Sequence, residues 1–256
     1  MGIQSLIDKK TRVRDLVTRI AENQLEIEKA LRLRYEVFNM ELQEGLPESK
    51  STGKDRDEYD FFCDHLLVID RANQDKVVGT YRILRKTVAK KCIGFYSENE
   101  FDLLNIYNLT DEVAEVGRSC VHPEYRDGSV ISLLWNGLAK YMTEFDVRYY
   151  MGCGSIHSTD VTKAMEIYNY INSKNSVSDI YIPPLQKCEL PGFSTRNTIE
   201  MNPSIIKSIP PLIKGYLRLG AKLSSEPALD KVFGTTDFFV LFDQKSITDR
   251  YLEKYF

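Results

Sequence analysis

The sequence has few of the residues on which cross-linked or zinc-dependent proteins rely. Its 256 residues include five cysteines, an odd number, and no pair has the spacing Cys-x-x-Cys. The three histidines, His65, His122 and His157, are scattered along the chain. Unpaired cysteines in a chain of this length are typical of a reducing compartment, and scattered histidines make no zinc pattern. We therefore expect free thiols, a cytoplasmic location and no metal ion.

Long apolar runs and a strong net charge are also absent. No window approaches the roughly 18 uninterrupted apolar residues of a membrane span, and the first residues lack the apolar centre of a secretory signal. Lys and Arg number 34 against 37 Asp and Glu. This balance excludes a globally basic nucleic-acid binder, and we expect no nucleic-acid partner. A hydrophobic content of 43% is enough for a folded core.

Apolar periodicity predicts alternating helices and strands. Helical spacing occupies residues 23–38, 129–143, 159–171 and 211–223. Runs typical of strands occupy 16–21, 65–70, 77–84, 112–122, 149–156 and 238–243. This order predicts an α/β fold in which a mixed central sheet is flanked by helices.

No change in composition marks a domain boundary, so we expect one domain over residues 1–256. About 1–15 form an N-terminal extension, and about 181–232 form an irregular and helical insertion before the last strand. The polar stretch 44–57 is predicted to be an exposed loop.

A strand, a loop and a helix that follow one another over 115–141 are the strongest local feature. Ser129 is the expected N-cap of the helix, and Arg126 and Gly128 precede it. Free N–H groups at a helix N-terminus bind a phosphate or orient a carbonyl group. An ordinary structural turn between a strand and a helix would show the same pattern, so both interpretations stay open.

Glu115 and Arg118 lie just before this loop. Residues three apart on a regular strand point to opposite faces, but a bulge near Gly117 would bring the two side chains to one side. Glutamate can act as a base toward an amine, and arginine binds a carboxylate or a phosphate. The alternative is a surface salt bridge without a catalytic role.

Two further groups have both a functional and a structural interpretation. Asp57, Asp60 and Asp64 either bind an amino-group cation or a divalent metal, or form a solvated acidic loop. Cys120 and His122 share one face of a strand and so allow a Cys–His pair, although a buried cysteine is usually inert.

The last predicted helix, 211–223, carries a basic face formed by Lys214, Arg218 and Lys222. Such a helix docks on an anionic membrane or an acidic protein, or it packs on the core as an ordinary surface helix.

Six blocks that keep their order and spacing resemble the ornithine-lipid N-acyltransferases, bacterial enzymes of the GNAT-like group that are often labelled hemolysin-like. The blocks are LRLRYEVF (31–38), CDHLLVID (63–70), VVGTYRIL (77–84), EVGRSCVHPEYRDGSVISLLWNGLAKYM (115–142), PPLIKGYLRLGA (210–221) and FGTTDFFVLF (233–242). The resemblance covers nearly the whole chain from about residue 16. It implies a GNAT-like acyltransferase fold with a C-terminal helical extension.

The same resemblance implies a reaction. A fatty acyl group, commonly 3-hydroxyacyl, passes from acyl carrier protein to the α-amino group of ornithine, the first step of ornithine lipid synthesis. Family relatives acylate other amino acids, so glycine, lysine or glutamine is an alternative acceptor. A catalytically silent acyl-carrier or lipid-binding module that keeps the fold is a second alternative.

The chain is more distantly similar to the acyl-homoserine-lactone synthases. The positions that match their pattern are Arg34, Phe38, Asp57, Asp60, Arg82, Glu115 and Arg118. Their usual early Trp is missing, since the one Trp here is Trp135, so lactone synthesis is not expected.

The matches imply that Glu115 and Arg118 are catalytic, with Glu115 as a base acting through a water. They also imply that the other five positions bind substrate. Arg82 and Arg118 either hold the substrate carboxylate or fix the acidic loop. Asp57 and Asp60 either attract the cationic side chain of ornithine or order the first helix through Arg34.

Typical GNAT acetyltransferases carry the motif R/Q-x-x-G-x-G/A before the corresponding helix. The loop before the 129–143 helix lacks the second small residue of this motif. This suits the single phosphodiester of an acyl-phosphopantetheine on a carrier protein better than acyl-coenzyme A, and no tightly bound cofactor is expected. The phosphopantetheine-binding residues expected from this comparison are Val121, His122, Arg126, Gly128 and Ser129. The acidic carrier protein is expected to dock on 85–91 or on the basic face of 211–223, and the latter face is also expected to make transient contact with the inner membrane.

Overall fold

The computed structural model describes residues 13–46, 48–196 and 204–247. Its strands are β1 (Leu16–Ile20), β2 (Asp64–Asp70), β3 (Lys76–Arg85), β4 (Glu112–Val121), β5 (Val147–Ile156), β6 (Lys222–Leu223), β7 (Ala228–Asp230) and β8 (Thr235–Asp243). They follow the order β1-β2-β3-β4-β5-β8-β6 in one sheet, with β7 paired to β8. Because β4 and β5 are parallel while β5 and β8 are antiparallel, the sheet is mixed, as predicted.

Helices flank this sheet, and the four predicted ones are found close to their predicted positions together with four short ones, within the described residues, that were not predicted. They are α1 (Gln24–Arg34), α2 (Ser49–Thr52), α3 (Lys86–Ala89), α4 (Leu104–Tyr107), α5 (Ser129–Glu144), α6 (Val161–Ser173), α7 (Ile205–Ser208) and α8 (Pro211–Leu219). A π-helical segment, Tyr35–Glu41, continues α1. Within the described ranges no helix combines the length and apolarity needed to cross a bilayer.

Contacts divide the chain into two compact units. The first comprises residues up to Asp57 with Asp64–Arg82 and Arg118–Leu138, and the second comprises Glu58–Cys63, Ile83–Gly117 and the residues from Ala139 onward. The expected single domain over 1–256 includes residues outside the described ranges and stays a prediction.

In the first unit, α1 begins at a capped end and packs through one face. The Asn23 side chain accepts from the Glu26 backbone N–H, which satisfies one of the free donors at the helix start. Ala30, Leu33 and Val37 recur three and four residues apart and are buried. They join an apolar cluster with strand residues Leu67, Ile69, Val77 and Cys120.

The prediction that 44–57 is an exposed loop is wrong at Asp55. Its side chain is fully buried, and the Arg34 Nε and Nη2 atoms donate to its Oδ1 at 2.8 and 2.6 Å. The Asp55 backbone N–H also donates to the Leu31 carbonyl at 3.0 Å. A buried charge requires a partner, and this pairing draws the end of the polar segment into the unit.

In the second unit, β5 and β8 form the longest ladder, from Tyr149 opposite Asp243 to Ile156 opposite Thr236. The parallel ladder of β4 with β5 runs as far as Glu115 opposite Met151. One apolar cluster includes Phe95, Phe101, Val113 and Phe239, and another includes Ile167, Ile213 and Phe238. Both clusters are built from residues on strands and helices of this unit.

The last predicted helix, 211–223, is too long. It ends at Leu219, because Gly220 adopts a left-handed φ of 103° and Lys222–Leu223 form β6 against β8. The Lys222 side chain pairs with Asp179 and is therefore not on the helical basic face. The insertion over 181–232 likewise contains two short strands, β6 and β7, besides its helices.

The close approach of β4 to β5 generates a stability prediction. A Cβ atom on Gly152 would lie 2.5 Å from the Val116 carbonyl oxygen, whereas a Cβ on Gly117 would meet no atom within 4 Å. Because the backbone must shift to relieve such a clash, Gly152→Ala should lower the free energy of unfolding by about 1–3 kcal/mol. Gly117→Ala, the control on the neighbouring strand, should change it by about 0.5 kcal/mol or less.

Thermal and urea unfolding of the two variants and the parent protein measure this difference. Equal stability of all three proteins would contradict the strand spacing described above.

Candidate active site

Arg118, near the end of β4, has an unusual backbone conformation. This residue adopts a φ of 49°, a left-handed conformation that is rare for a residue with a side chain and is typical of functional positions. The register of β4 with β5 shifts between Glu112 and Val113, and the bulge expected near Gly117 stays a prediction. The conformation costs about 1–3 kcal/mol, so the surrounding contacts must impose it.

Arg118 belongs to a buried cluster of the first unit. Its Nη2 atom lies 3.5 Å from Asp55 Oδ2, and its guanidinium lies 5.4 Å from the centre of the Phe38 ring. Asp55 thus lies between Arg34 and Arg118. The Arg118 guanidinium lies over the face of the Phe38 ring. The structure brings together three predicted residues, Arg34, Phe38 and Arg118, around an aspartate that the sequence analysis did not single out.

A second ion pair of this unit joins Asp57 to Arg82. The Arg82 Nη1 atom donates to Asp57 Oδ1 at 2.5 Å, and the Arg82 side chain is only 7% exposed. Arg82 therefore fixes the end of the acidic segment, which is one of the two roles expected for it. Asp64 lies at the first position of β2.

In the second unit, Asp60 and Glu115 are both buried carboxylates. Asp60 lies in the 3₁₀ turn Glu58–Phe61. Glu115 accepts hydrogen bonds from the backbone N–H groups of Tyr96 and Ser97 at 2.7 and 2.8 Å, and from the Ser97 hydroxyl at 2.5 Å. Hydrogen bonds of this kind stabilise the ionised form of a carboxylate and fix its orientation. The Glu115 carboxylate is therefore a buried hydrogen-bond acceptor with a fixed orientation, and not the partner in an exposed salt bridge.

Ser97 also contacts a second group of acidic residues besides Glu115. Its hydroxyl lies 3.3 Å from Cys153 Sγ, and ligand atoms of Cys153, Glu100 and Asp237 lie within 4.8 Å of one another. Both carboxylates are buried. Burial raises the pKa of each of these two carboxylates and, well above its usual value, that of the Cys153 thiol.

The loop predicted to bind phosphopantetheine is ordered by carboxylates of the protein itself. Arg126 donates to both oxygens of Glu41 at 2.5 and 2.7 Å, and its Nε donates to the Val121 carbonyl at 3.0 Å. This contact with Arg126 lowers the pKa of Glu41. Because both side chains are exposed, the guanidinium lies where an incoming phosphate could exchange with Glu41.

The start of α5 follows the same pattern. The Ser129 backbone N–H and hydroxyl both donate to Asp127 Oδ1, at 3.0 and 2.6 Å. The helix begins at Ser129, so the predicted N-cap is its first residue, and Asp127 rather than Ser129 supplies the capping oxygen. Gly128, with a φ of 94°, allows the turn. Hydrogen bonds from Ser129, and then Arg14, lower the pKa of Asp127 to about 2.

His122 and Cys120 lie at the end of β4 in the same unit. The His122 ring has Lys76 Nζ at 2.8 Å from Nε2 and accepts from the Glu124 backbone N–H at its Nδ1. Burial, and then Lys76, lower the pKa of His122. Burial raises the pKa of the Cys120 thiol to about 12. The thiol is therefore protonated at neutral pH and is a poor nucleophile.

Sequence reasoning missed the partners of the predicted residues. They are Glu41, Asp55, Ser97, Glu100, Asp127, Cys153 and Asp237. A weak signal existed for Asp55, which begins the spaced acidic set continued by Asp57 and Asp60. The others are brought to their partners by strand order, which no local pattern contains.

Comparisons with known proteins agree with this architecture. Residues 33–136 match the model of the acetyltransferase (GNAT) domain. A CoA-dependent acyl-homoserine lactone synthase, MesI, has a similar solved structure, with a TM-score of 0.51 and 14% identity over 94% of this chain and 93% of that one. The predicted GNAT-like acyltransferase fold is confirmed.

Curated relatives are similar over nearly the full length of the sequence. The L-ornithine N(alpha)-acyltransferase of Agrobacterium fabrum (strain C58) is 35% identical over 256 residues, which cover 95% of this chain and 86% of the relative. That of Brucella abortus (strain 2308) is 33% identical over 95% of this chain and 90% of the relative. With this identity over most of both chains and a GNAT-like fold, the protein belongs to the L-ornithine N(alpha)-acyltransferase family of acyltransferases.

Proposed function

We propose that the protein transfers a fatty acyl group, 3-hydroxyacyl in the expected case, from acyl carrier protein to the α-amino group of ornithine. The observation that carries this proposal is the similarity to relatives named for ornithine Nα-acylation, at 31–35% identity over 93–95% of the chain. Within the second unit Glu115 is the candidate base, and within the first unit Arg118 and Arg126 are the candidate cations for substrate and donor.

The reaction is direct attack of a neutral amine on the acyl thioester. The ammonium of the acceptor first loses a proton, and its nitrogen then forms a bond to the carbonyl carbon. The carbon–sulfur bond breaks, the second amine proton is lost, and the pantetheine sulfur leaves as a thiol. Glu115 takes the first proton through a water. The hydrogen bonds from Tyr96 and Ser97 support this role because they fix the orientation of the carboxylate.

Arg118 has two assigned parts in this mechanism. Its side chain, oriented by Asp55 and Phe38, binds the carboxylate of the amino acid acceptor. Its left-handed backbone interrupts the regular alternation of N–H groups along β4. Donors released from a regular ladder in this way can stabilise the oxyanion of the tetrahedral intermediate.

No acyl-enzyme is needed. The Cys120 thiol is buried and its pKa is raised to about 12, so attack by the amine itself is the simpler route.

The donor's phosphodiester is assigned to Arg126 and to the N–H groups at the start of α5, with Val121, His122, Gly128 and Ser129 around it. Glu41 and Asp127 occupy these donors in the structure. Phosphate binding is therefore an exchange of anions at exposed positions, where a protein ion pair contributes little stability.

Two surfaces are assigned to partners. Lys86 of the 85–91 run is buried and donates to the Leu109 carbonyl at 2.8 Å, whereas Lys90 and Lys91 are exposed. These two lysines are the part of the run that can meet an acidic carrier protein. Lys214 and Arg218 on α8 are the remaining basic positions for transient contact with the inner membrane, where the acylated product belongs.

An acyl-transfer assay tests the proposed function. Purified protein is offered 3-hydroxyacyl carrier protein or the matching acyl-coenzyme A, with ornithine, lysine, glycine or glutamine, and products are identified by mass spectrometry. N-acyl-ornithine formed from the carrier-protein donor is the expected result. Product from another amino acid alone would assign a sister activity. No product from folded protein that binds acyl carrier protein would indicate a silent binding module.

Glu115→Gln should lower kcat by about 100-fold or more, because the amide cannot accept the amine proton. The control is Glu112→Gln, the same change three residues earlier on β4, where the carboxylate accepts from the Thr87 backbone N–H at 3.0 Å. This control should keep kcat within about threefold. Steady-state kinetics with circular dichroism on both variants measure the difference, and full activity of folded Glu115→Gln would remove Glu115 from the role of base.

Arg126 and Glu41 should affect donor binding in opposite directions. Arg126→Gln removes the phosphate-binding cation and should raise KM for the acyl carrier protein about tenfold. Glu41→Gln removes the competing carboxylate and should lower that KM by about two- to threefold. Arg71→Gln, an exposed arginine paired with Asp15, is the control. Changes of the same sign in the first two variants would contradict the proposed anion exchange.

A further inference from the structure

A buried cluster of three acceptor groups lies beside Glu115 in the second unit. Glu100 follows the 3₁₀ turn Tyr96–Asn99, Cys153 lies on β5 and Asp237 lies on β8. One ligand atom from each lies within 4.8 Å of the other two. Glu100 and Asp237 are only 6% and 3% exposed, and Cys153 is the partly exposed member.

Hydroxyl groups contact part of this cluster but do not donate a hydrogen bond to every acceptor atom in it. Ser155 and Thr235 donate to the two oxygens of Asp237 at 3.0 and 2.8 Å, and the Ser97 hydroxyl lies beside Cys153 Sγ. In contrast, Glu100 Oε2 is buried and receives no hydrogen bond from an N–H or O–H group of the described residues, although the Glu100 side chain lies against Cys153 and Asp237. A buried carboxylate oxygen without a donor is costly unless a ligand supplies one.

The cluster also lacks a positive charge. Within the described parts of the chain, no Lys, Arg or His forms a salt bridge with Glu100 or Asp237. Two adjacent buried carboxylates cannot both ionise without a cation, and burial accordingly raises the pKa of each. In the free protein a proton takes the place that a cation would occupy.

We infer that Glu100, Asp237 and Cys153 bind the side-chain ammonium of the amino acid acceptor, and so select a diamino acid over a neutral one. This inference rests on the proposed function. An ammonium has three N–H donors and no acceptor, which matches a set of three acceptor atoms. A nitrogen about 2.8 Å from each acceptor requires the acceptors to lie about 4.6 Å apart, which falls within the 4.8 Å limit on their separation.

The position of the cluster relative to Glu115 fits such an acceptor. Ser97 Oγ lies 2.5 Å from Glu115 Oε1 and 3.3 Å from Cys153 Sγ, so one short side chain separates the two groups. The two nitrogens of an extended ornithine are about 6 Å apart, from standard bond lengths. The side-chain ammonium can therefore lie in the cluster while the α-amino group faces the proposed base.

A divalent metal is the competing occupant. Zinc binds a thiolate and carboxylates at about 2.0–2.3 Å, which requires donors roughly 3.5 Å apart and a deprotonated cysteine. Burial raises the pKa of Cys153 well above its usual value, so the thiol is neutral and acts as a weak acceptor. The chemistry of the set favours an ammonium group, and metal binding is made an outcome of the test.

The test compares ornithine with norvaline, the amino acid of equal chain length that lacks the side-chain ammonium. The parent protein should show a kcat/KM for ornithine about tenfold or more above that for norvaline. Glu100→Gln and, independently, Asp237→Asn should lower kcat/KM for ornithine about tenfold or more. Both should leave kcat/KM for norvaline within about twofold. Glu226→Gln, a half-buried carboxylate of the same unit, is the matched control and should leave the ratio unchanged.

The outcomes separate the two proposals. If the parent protein acylates neither compound, the proposed function fails. If it acylates both equally well, or if folded Glu100→Gln keeps the preference for ornithine, the ammonium site is wrong while the proposed function stands. Metal analysis of the purified parent protein is the second measurement, and one equivalent of zinc that is lost in Glu100→Gln would assign the cluster to a metal instead.

Discussion

The ion pair between Arg34 and Asp55 is the interaction on which the first unit depends. Both side chains are essentially without solvent exposure, and a charge in that position is tolerated only when its partner is held in register. Removing one partner of such a pair typically costs about 3–5 kcal/mol. The pair therefore fixes the end of α1 against a polar segment, and Asp55 also lies 3.5 Å from the Arg118 side chain.

The cations assigned to ligand binding already have carboxylate partners in the structure, and their burial separates two kinds of role. The ion pairs of Arg34 and Arg82 are buried. We expect these two arginines to position the chain, because replacing either carboxylate partner would leave a buried arginine without its opposite charge. The Arg126 pair with Glu41 is exposed, where exchange with a phosphate costs little. Burial thus indicates which arginines shape the site and which one can receive the donor.

The sequence predicts the elements better than the contacts between them. The strand starting at Glu112 and the helix of Ser129–Glu144 follow from local periodicity, which depends on neighbours along the chain. The predicted helix over 211–223 is too long. A glycine such as Gly220 either interrupts a helical pattern weakly or ends the helix, and the local pattern does not distinguish the two. The burial of Asp55 and the meeting of Glu100 with Asp237 depend on partners distant in sequence, which no local pattern reveals.

Glu115 and Glu100 are two carboxylates near Ser97 whose surroundings differ in one decisive respect. Glu115 receives two backbone N–H groups and a hydroxyl, which favour the ionised form. Glu100 has an oxygen with no donor and a second buried carboxylate beside it, which favour the neutral form until a cation arrives. Opposed environments of this kind commonly separate the roles of paired acids in an enzyme. Under the proposed function, the same physical contrast favours Glu115 for proton transfer and Glu100 for recognition of a positive side chain.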